Sequence, residues 1–287
     1  MTTSEIDAIG LDVLRRHLDS LGTRYASAAP FPHAVIDDAL PTDVFAAAVD
    51  EFPAIDDPAW RGYLHVNETK FANPDRDTWG PSLQAIAEAL CSDDFVKALG
   101  ELTGIKHLIA DPSMDGGGLH QTLRGGFLNV HTDFTTHHRN RNWRRRINVL
   151  LYLNDSWLSE WGGALELWDS DVTTKVSAVE PIGNRMLVFT TSVGACHGHP
   201  DPLECPPDAA RRSMALYYFT DEDRPARRST RYRARPGDGL KRVAIWGDHR
   251  LLSLYDVAKT RLGLSDRIVS KVLGRLHRTL VRLRHKK

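Results

Sequence analysis

Apolar positions recur every three to four residues through the first third of the chain, then give way to short β-branched and aromatic runs. Ser4 caps a first helix with Asp7 three residues on, and Ile6, Ile9, Val13, Leu14, Leu18 and Leu21 form its apolar stripe. Gly22 is its stop. PFPHAVIDDAL, residues 30–40, reads as a short extended segment. Val44, Phe45, Ala48, Val49 and Phe52 then line one face of a helix that Pro53 ends. Residues 53–80, rich in Pro, Asp, Asn and Trp, read as loop. Leu83, Ile86 and Leu90, then Phe95, Val96, Leu99 and Leu102, predict further helix with a break at Ser92–Asp93.

From about residue 105 the periodicity changes. FLNVHTDF, RINVLLYLN, GALELW, RMLVFTT and RSMALYYF are strand-like and separated by Gly, Pro, Asn or Asp. Short strands after a helical block predict an α+β protein with a β-sandwich or jelly-roll core. In residues 261–287, Val269, Val272, Leu273, Leu276, Leu280 and Leu283 again follow a helical stripe. The expected organisation is a mainly helical support region at 1–104, a core at 105–222 and an extension at 223–287.

Charge separates that extension from the rest. The 287 residues carry 37 Lys and Arg against 37 Asp and Glu, so no overall basic field exists to hold nucleic acid. Residues 261–287 hold nine Lys or Arg and one acid, Asp266, so the remainder is correspondingly acidic. The basic amphipathic helix predicted there either docks on that remainder or meets an anionic membrane surface or acidic partner. Three cysteines, Cys91, Cys196 and Cys205, exclude a disulfide framework and fit a reducing compartment. The first twenty residues have acids where a signal peptide is basic, and no run reaches the length of a membrane span. A soluble, cytoplasmic protein is expected.

The candidate chemistry sits in FLNVHTDF. In a strand, residues i and i+2 share a face, so His131 and Asp133 project together, with Asn129 and Phe127. An imidazole beside a carboxylate on a rigid strand supplies two of the three ligands of a non-haem Fe(II) site. A third would come from CHGHP, as His197 or His199. Downstream, RRS offers Arg211 or Arg212, on opposite strand faces. A guanidinium inside a barrel needs a carboxylate partner, and a co-substrate carboxylate would serve.

Six pieces follow in order: HTD (131–133), LLYLN (150–154), WGGALELW (161–168), EPIGNRMLVF (180–189), HGHP (197–200) and RRS (211–213). Residues 120–220 thereby resemble the Fe(II)/2-oxoglutarate-dependent dioxygenases of the prolyl 4-hydroxylase type. The resemblance implies a double-stranded β-helix (jelly-roll, cupin-like) core with flanking N-terminal helices. It implies Fe(II) bound by His131, Asp133 and His197, the last because the family's distal His precedes Gly. Arg211 would pair with the distal carboxylate of 2-oxoglutarate, Tyr152 would hydrogen-bond it, and Gln121 falls where relatives place a further co-substrate contact. The long proline-rich segment between His197 and Arg211 keeps Arg212 as the alternative clamp. The implied reaction consumes 2-oxoglutarate and O₂, releases succinate and CO₂, and hydroxylates a C–H bond of a peptidyl, amino-acid, sugar or natural-product substrate, with ascorbate as a candidate reductant.

Two other readings use the same residues: a jelly-roll binding protein without turnover, and a Zn-dependent cupin-type hydrolase. Neither needs a clamp for a co-substrate carboxylate. His137 and His138 read as exposed loop residues. Arg139, Arg141, Arg144, Arg145 and Arg146 read as a solvated loop, with recognition of an acidic substrate as the alternative.

Overall fold

The computed structural model describes residues 24–239 except 227, together with 16, 18, 21, 242, 243 and 245. The helix predicted at 4–21 falls mostly outside them, and the basic helix predicted at 261–287 falls wholly outside. Among the described residues, no helix is long and apolar enough to cross a membrane.

Helices α1 (Thr42–Asp50), α2 (Pro81–Leu90) and α3 (Asp93–Thr103) precede the core. The predicted break between α2 and α3 is a cap. The Ser92 hydroxyl oxygen accepts from the Phe95 backbone N–H at 3.3 Å, satisfying one of the free donors of the first turn. Gly104 ends α3 at φ 70°, a left-handed conformation that glycine adopts without a Cβ penalty.

Among the described residues, thirteen strands form one continuous, mostly antiparallel sheet rolled into a nearly closed jelly roll. They are β1 (His33–Ile36), β2 (Arg61–His65), β3 (Glu68–Asn73), β4 (Ile109–Ala110), β5 (Gly118–Leu123), β6 (Phe127–Thr132), β7 (Trp143–Tyr152), β8 (Leu165–Trp168), β9 (Lys175–Val179), β10 (Met186–Thr190), β11 (Cys196–His199), β12 (Ala210–Asp221) and β13 (Arg231–Tyr232). The main path runs β1-β10-β7-β12-β5-β3-β6-β11-β8-β9. β3 turns the corner, pairing β5 through Phe71–Asn73 and β6 through Glu68–Thr69. Residues 53–80, expected as loop, therefore contain a hairpin that completes the barrel wall. Residues 1–104, expected mainly helical, supply three strands. The pattern of 61–73 hid them, because four of the five residues of β2 are exposed and its alternation is not hydrophobic.

Strand alternation divides the core in two. Ile147, Val149, Leu151, Met186, Val188, Met214 and Leu216 point outward, in one cluster with Leu83, Ile86 and Leu90 of α2 and Phe95 and Leu99 of α3. At ~1.5–3 kcal/mol per buried aliphatic side chain, this outer face supplies most of the apolar stabilisation. Asn148, Leu150 and Tyr152 alternate with it and face the barrel interior. Tyr152 joins Phe31, Leu165, Leu167, Val179, Leu187 and Phe189 in a smaller inner cluster, with Leu150 packed against it. The interior is left free to carry polar groups.

Candidate metal and co-substrate centre

β11 pairs antiparallel with β6 so that His197 lies directly opposite His131. Asp133 follows His131 by two residues and stays on its face. The three side chains converge, with one donor atom from each lying within 4.8 Å of the others. His131 Nε2 is 3.6 Å from Asp133 Oδ1, and His197 Nε2 is 3.6 Å from Asp133 Oδ2. Both histidines are about 5 % exposed.

The proton positions follow from the hydrogen bonds. His131 Nδ1 is 2.9 Å from the Asn129 carbonyl oxygen, and His197 Nδ1 is 3.0 Å from that of Ala195. A carbonyl only accepts, so each Nδ1 carries a hydrogen and each Nε2 is the atom turned toward the Asp133 carboxylate. Burial pushes His197 down to about 4, against a push upward from Asp133, so the ring is neutral near pH 7. Burial would raise the Asp133 carboxyl, but Arg145, His197 and His131 hold it well below the usual carboxylate range. Two imidazole Nε2 atoms and a carboxylate thus converge on one point. Such N,N,O donor sets suit a divalent transition metal, and Fe(II) fits this one.

The other end of the interior is cationic. Arg211 is buried, and Nε donates to the Gly163 carbonyl oxygen at 2.7 Å while Nη2 lies 3.2 Å from Tyr152 Oη. Both partners are neutral, and no carboxylate forms a salt bridge with Arg211 among the described residues. Gly163 makes the close approach available: a Cβ there would lie 2.8 Å from Leu203 and 3.0 Å from the Arg211 chain, at φ +80°. Arg212 points the other way, to the helix side, with its guanidinium over the Phe52 ring. The strand phase therefore puts Arg211, and not Arg212, in the interior.

The same phase displaces Gln121. It lies opposite Arg212 on the outward face and donates through Nε2 to the Ile55 carbonyl oxygen. Its neighbour His120 faces inward, directly across from Ser213. His120 Nε2 and His199 Nδ1 are buried without a hydrogen-bond partner. His199 lies outside the convergent triad, since the β11–β6 register shifts between it and His197.

Two elements placed in a solvated loop are buried. His137 is 2 % exposed, and its ring packs edge-on against Trp143 and Phe219. Its Nδ1 accepts from the Arg139 and Asn140 backbone N–H groups, so Nε2 carries the hydrogen toward Asp111 Oδ2 at 3.3 Å. His138 matches its expected exposure. Arg145 belongs to β7 and lies 3.3 Å from Asp133 Oδ2. From outside the 105–222 core, β13 pairs with β6 and sets the Tyr232 ring 5.6 Å from that of His131. Nothing in the local sequence around Tyr232 signals this, because the pairing joins segments about a hundred residues apart.

Burying neutral histidines has a pH consequence. Burial, with Lys70 nearby, also lowers His120, to about 3. In the unfolded chain both His120 and His197 titrate near 6.5. As pH falls from 6.5 toward 4 the unfolded chain binds protons that the fold excludes, so stability is lost in that window. Each unit costs up to about 1.4 kcal/mol per ring. We expect the urea midpoint of metal-free protein to be lower at pH 5 than at pH 7.5 by an amount equivalent to a few kcal/mol. An unchanged midpoint would contradict buried neutral rings.

Comparison with known proteins agrees with this geometry. Residues 117–219 match the 2OG-Fe(II) oxygenase superfamily. A prolyl-4-hydroxylase from Pseudomonas putida superposes with a TM-score of 0.50 at 18 % identity, covering 73 % of this chain and 99 % of that one. A Trichoplax adhaerens prolyl hydroxylase, solved with a peptide fragment of the hypoxia inducible factor oxygen degradation domain, gives 0.49 at 18 % identity, covering 73 % and 92 %. No curated protein matches the sequence.

Proposed function

We propose that this chain, whose residues 117–219 match the 2OG-Fe(II) oxygenase superfamily, is a 2-oxoglutarate-dependent hydroxylase using His131, Asp133 and His197 as iron ligands. The observation that carries the reading is the pairing, in one barrel, of an N,N,O donor triad with a buried guanidinium that has no carboxylate partner. A binding protein or a metal hydrolase accounts for the triad but leaves the Arg211 charge uncompensated. An unpaired buried charge costs several kcal/mol.

Each residue then has a task. Asn148, which touches Asp133, and Tyr152, which touches Arg211, lie four residues apart on the inner face of β7. Four residues of strand span roughly 13 Å, and the inward reach of the side chains shortens that gap to suit a five-carbon dicarboxylate. Arg211 and Tyr152 bind the distal carboxylate, with Ser213 beside them on the same face. Leu150, Leu187 and Phe189 pack against the methylenes and exclude water. Bound iron supplies O₂ activation coupled to decarboxylation of the co-substrate, and the chain orients the reacting groups. The substrate class we infer is a peptide or small molecule, as the prolyl hydroxylase relatives suggest.

Anaerobically iron-loaded protein, mixed with 2-oxoglutarate and then O₂, should release succinate and CO₂ in equal amounts, faster with a hydroxylatable substrate present. Absence of succinate from iron-replete protein would count against the proposal.

A further inference from the structure

Arg145 has no assigned role, yet it is 3 % exposed and lies against the ligand triad. Its position is a consequence of register. Along β7, Ile147, Val149 and Leu151 face the helices and Asn148, Leu150 and Tyr152 face the interior. Simple alternation would put Arg145 with Ile147, on the helix side. The β7–β12 pairing steps from Ile147↔Tyr218 to Arg145↔Phe219, so Arg146 is an extra residue. This bulge turns Arg145 inward, as bulges beside sites commonly re-aim a side chain.

Four contacts hold the guanidinium there. Its carbon lies 3.3 Å from the centre of the Tyr217 ring and 4.4 Å from that of Phe134. Nε donates to Asn148 Oδ1 at 2.8 Å, and Nη2 lies 3.3 Å from Asp133 Oδ2. Asn148 Nδ2 donates to the same Oδ2 at 2.8 Å. A carboxylate oxygen has two lone-pair directions. Asn148 thus hydrogen-bonds Oδ2 and the Arg145 guanidinium lies within ion-pair distance of it, while Oδ1 receives neither group.

We propose that Arg145 is a positioning residue that, with Asn148, keeps Asp133 a one-oxygen ligand. Oδ2, although it also lies 3.6 Å from His197 Nε2, is engaged by these two side chains and Oδ1 is left to bind the metal, so the remaining coordination positions stay open for the co-substrate and O₂. The fixed positive charge also weakens cation binding, so the arrangement trades metal affinity for open positions. The inference rests on the reading of the triad as the metal centre.

The two effects have opposite signs, which separates this role from a merely structural one. Full-length metal-free protein and Arg145→Gln are titrated with Co(II), and the Co(II)-loaded proteins are titrated with 2-oxoglutarate, following the visible cobalt bands. In R145Q a repelling charge is gone and Oδ2 is freed to chelate. Co(II) should bind several-fold more tightly, its bands should shift, and 2-oxoglutarate should bind about tenfold more weakly. Asn148→Ser keeps the charge and frees one lone pair of Oδ2. It should weaken 2-oxoglutarate binding less than R145Q does, and it keeps the proposal testable should R145Q fail to fold. Metal and co-substrate affinities that fall together, or that both stay unchanged, would overturn the proposal. Wild-type protein that binds no Co(II), or binds Co(II) but no 2-oxoglutarate, would instead refute the proposed function.

Discussion

His131→Ala should abolish stoichiometric metal binding while the protein stays folded. Among the described residues, His131 supplies one of three convergent donors, and its ring is already oriented by the Asn129 carbonyl. Disturbing an outer partner of a metal ligand typically costs 10–100-fold in affinity. Removing the ligand itself should exceed about a hundredfold. His199→Ala is the matched control: it removes an imidazole from the same strand that lies outside the triad, and should retain metal. Equilibrium dialysis with metal analysis reads both. If His199→Ala loses the ion and His131→Ala keeps it, the ligand assignment is wrong.

Arg211→Ala should keep the metal and fail on the co-substrate. Breaking a buried charged pair costs about 3–5 kcal/mol, and every 1.4 kcal/mol is tenfold. The 2-oxoglutarate requirement for succinate release should therefore rise by roughly a hundredfold to a few thousandfold. Arg212→Ala, which removes a partly exposed guanidinium stacked on Phe52, should leave that requirement near wild type. Tyr152→Phe removes only the hydroxyl that touches Arg211 and should give a smaller rise. Metal content measured alongside distinguishes these effects from loss of the iron site. The opposite ranking of the two arginine variants would show the strand phase of β12 to be misjudged.

Much of this centre was legible in the sequence because it depends on period-two alternation. His131 and Asp133 share a face whatever surrounds them, and the β12 run places Arg211 and Ser213 together. What the sequence left illegible depends on register between distant strands. Gln121 sits one residue out of phase with the interior, a distinction fixed by the pairing of Arg212 with Gln121 and of Ser213 with His120. Arg145 was hidden twice, by the run of charges that masks the start of β7 and by the bulge that reverses its face. His137 resembles a surface residue in a polar stretch, and only the aromatic rings of Trp143 and Phe219 bury it. The β2–β3 hairpin lacks a hydrophobic alternation because much of it is exposed, so its membership in the sheet is dictated by β5 and β6. Helices α2 and α3 were readable to the break between them, since both stripe and cap are local.

The central claim is that one barrel holds an iron triad and a clamp for a dicarboxylate keto acid. Anaerobic titration of metal-free protein, first with Fe(II) and then with 2-oxoglutarate, tests it most directly, by way of the weak visible charge-transfer band of an iron-chelated keto acid. The account predicts a band that requires both additions, disappears in His131→Ala, and needs far more 2-oxoglutarate in Arg211→Ala. No band from wild-type protein, with tight Zn(II) binding in its place, would contradict the account and favour a metal hydrolase.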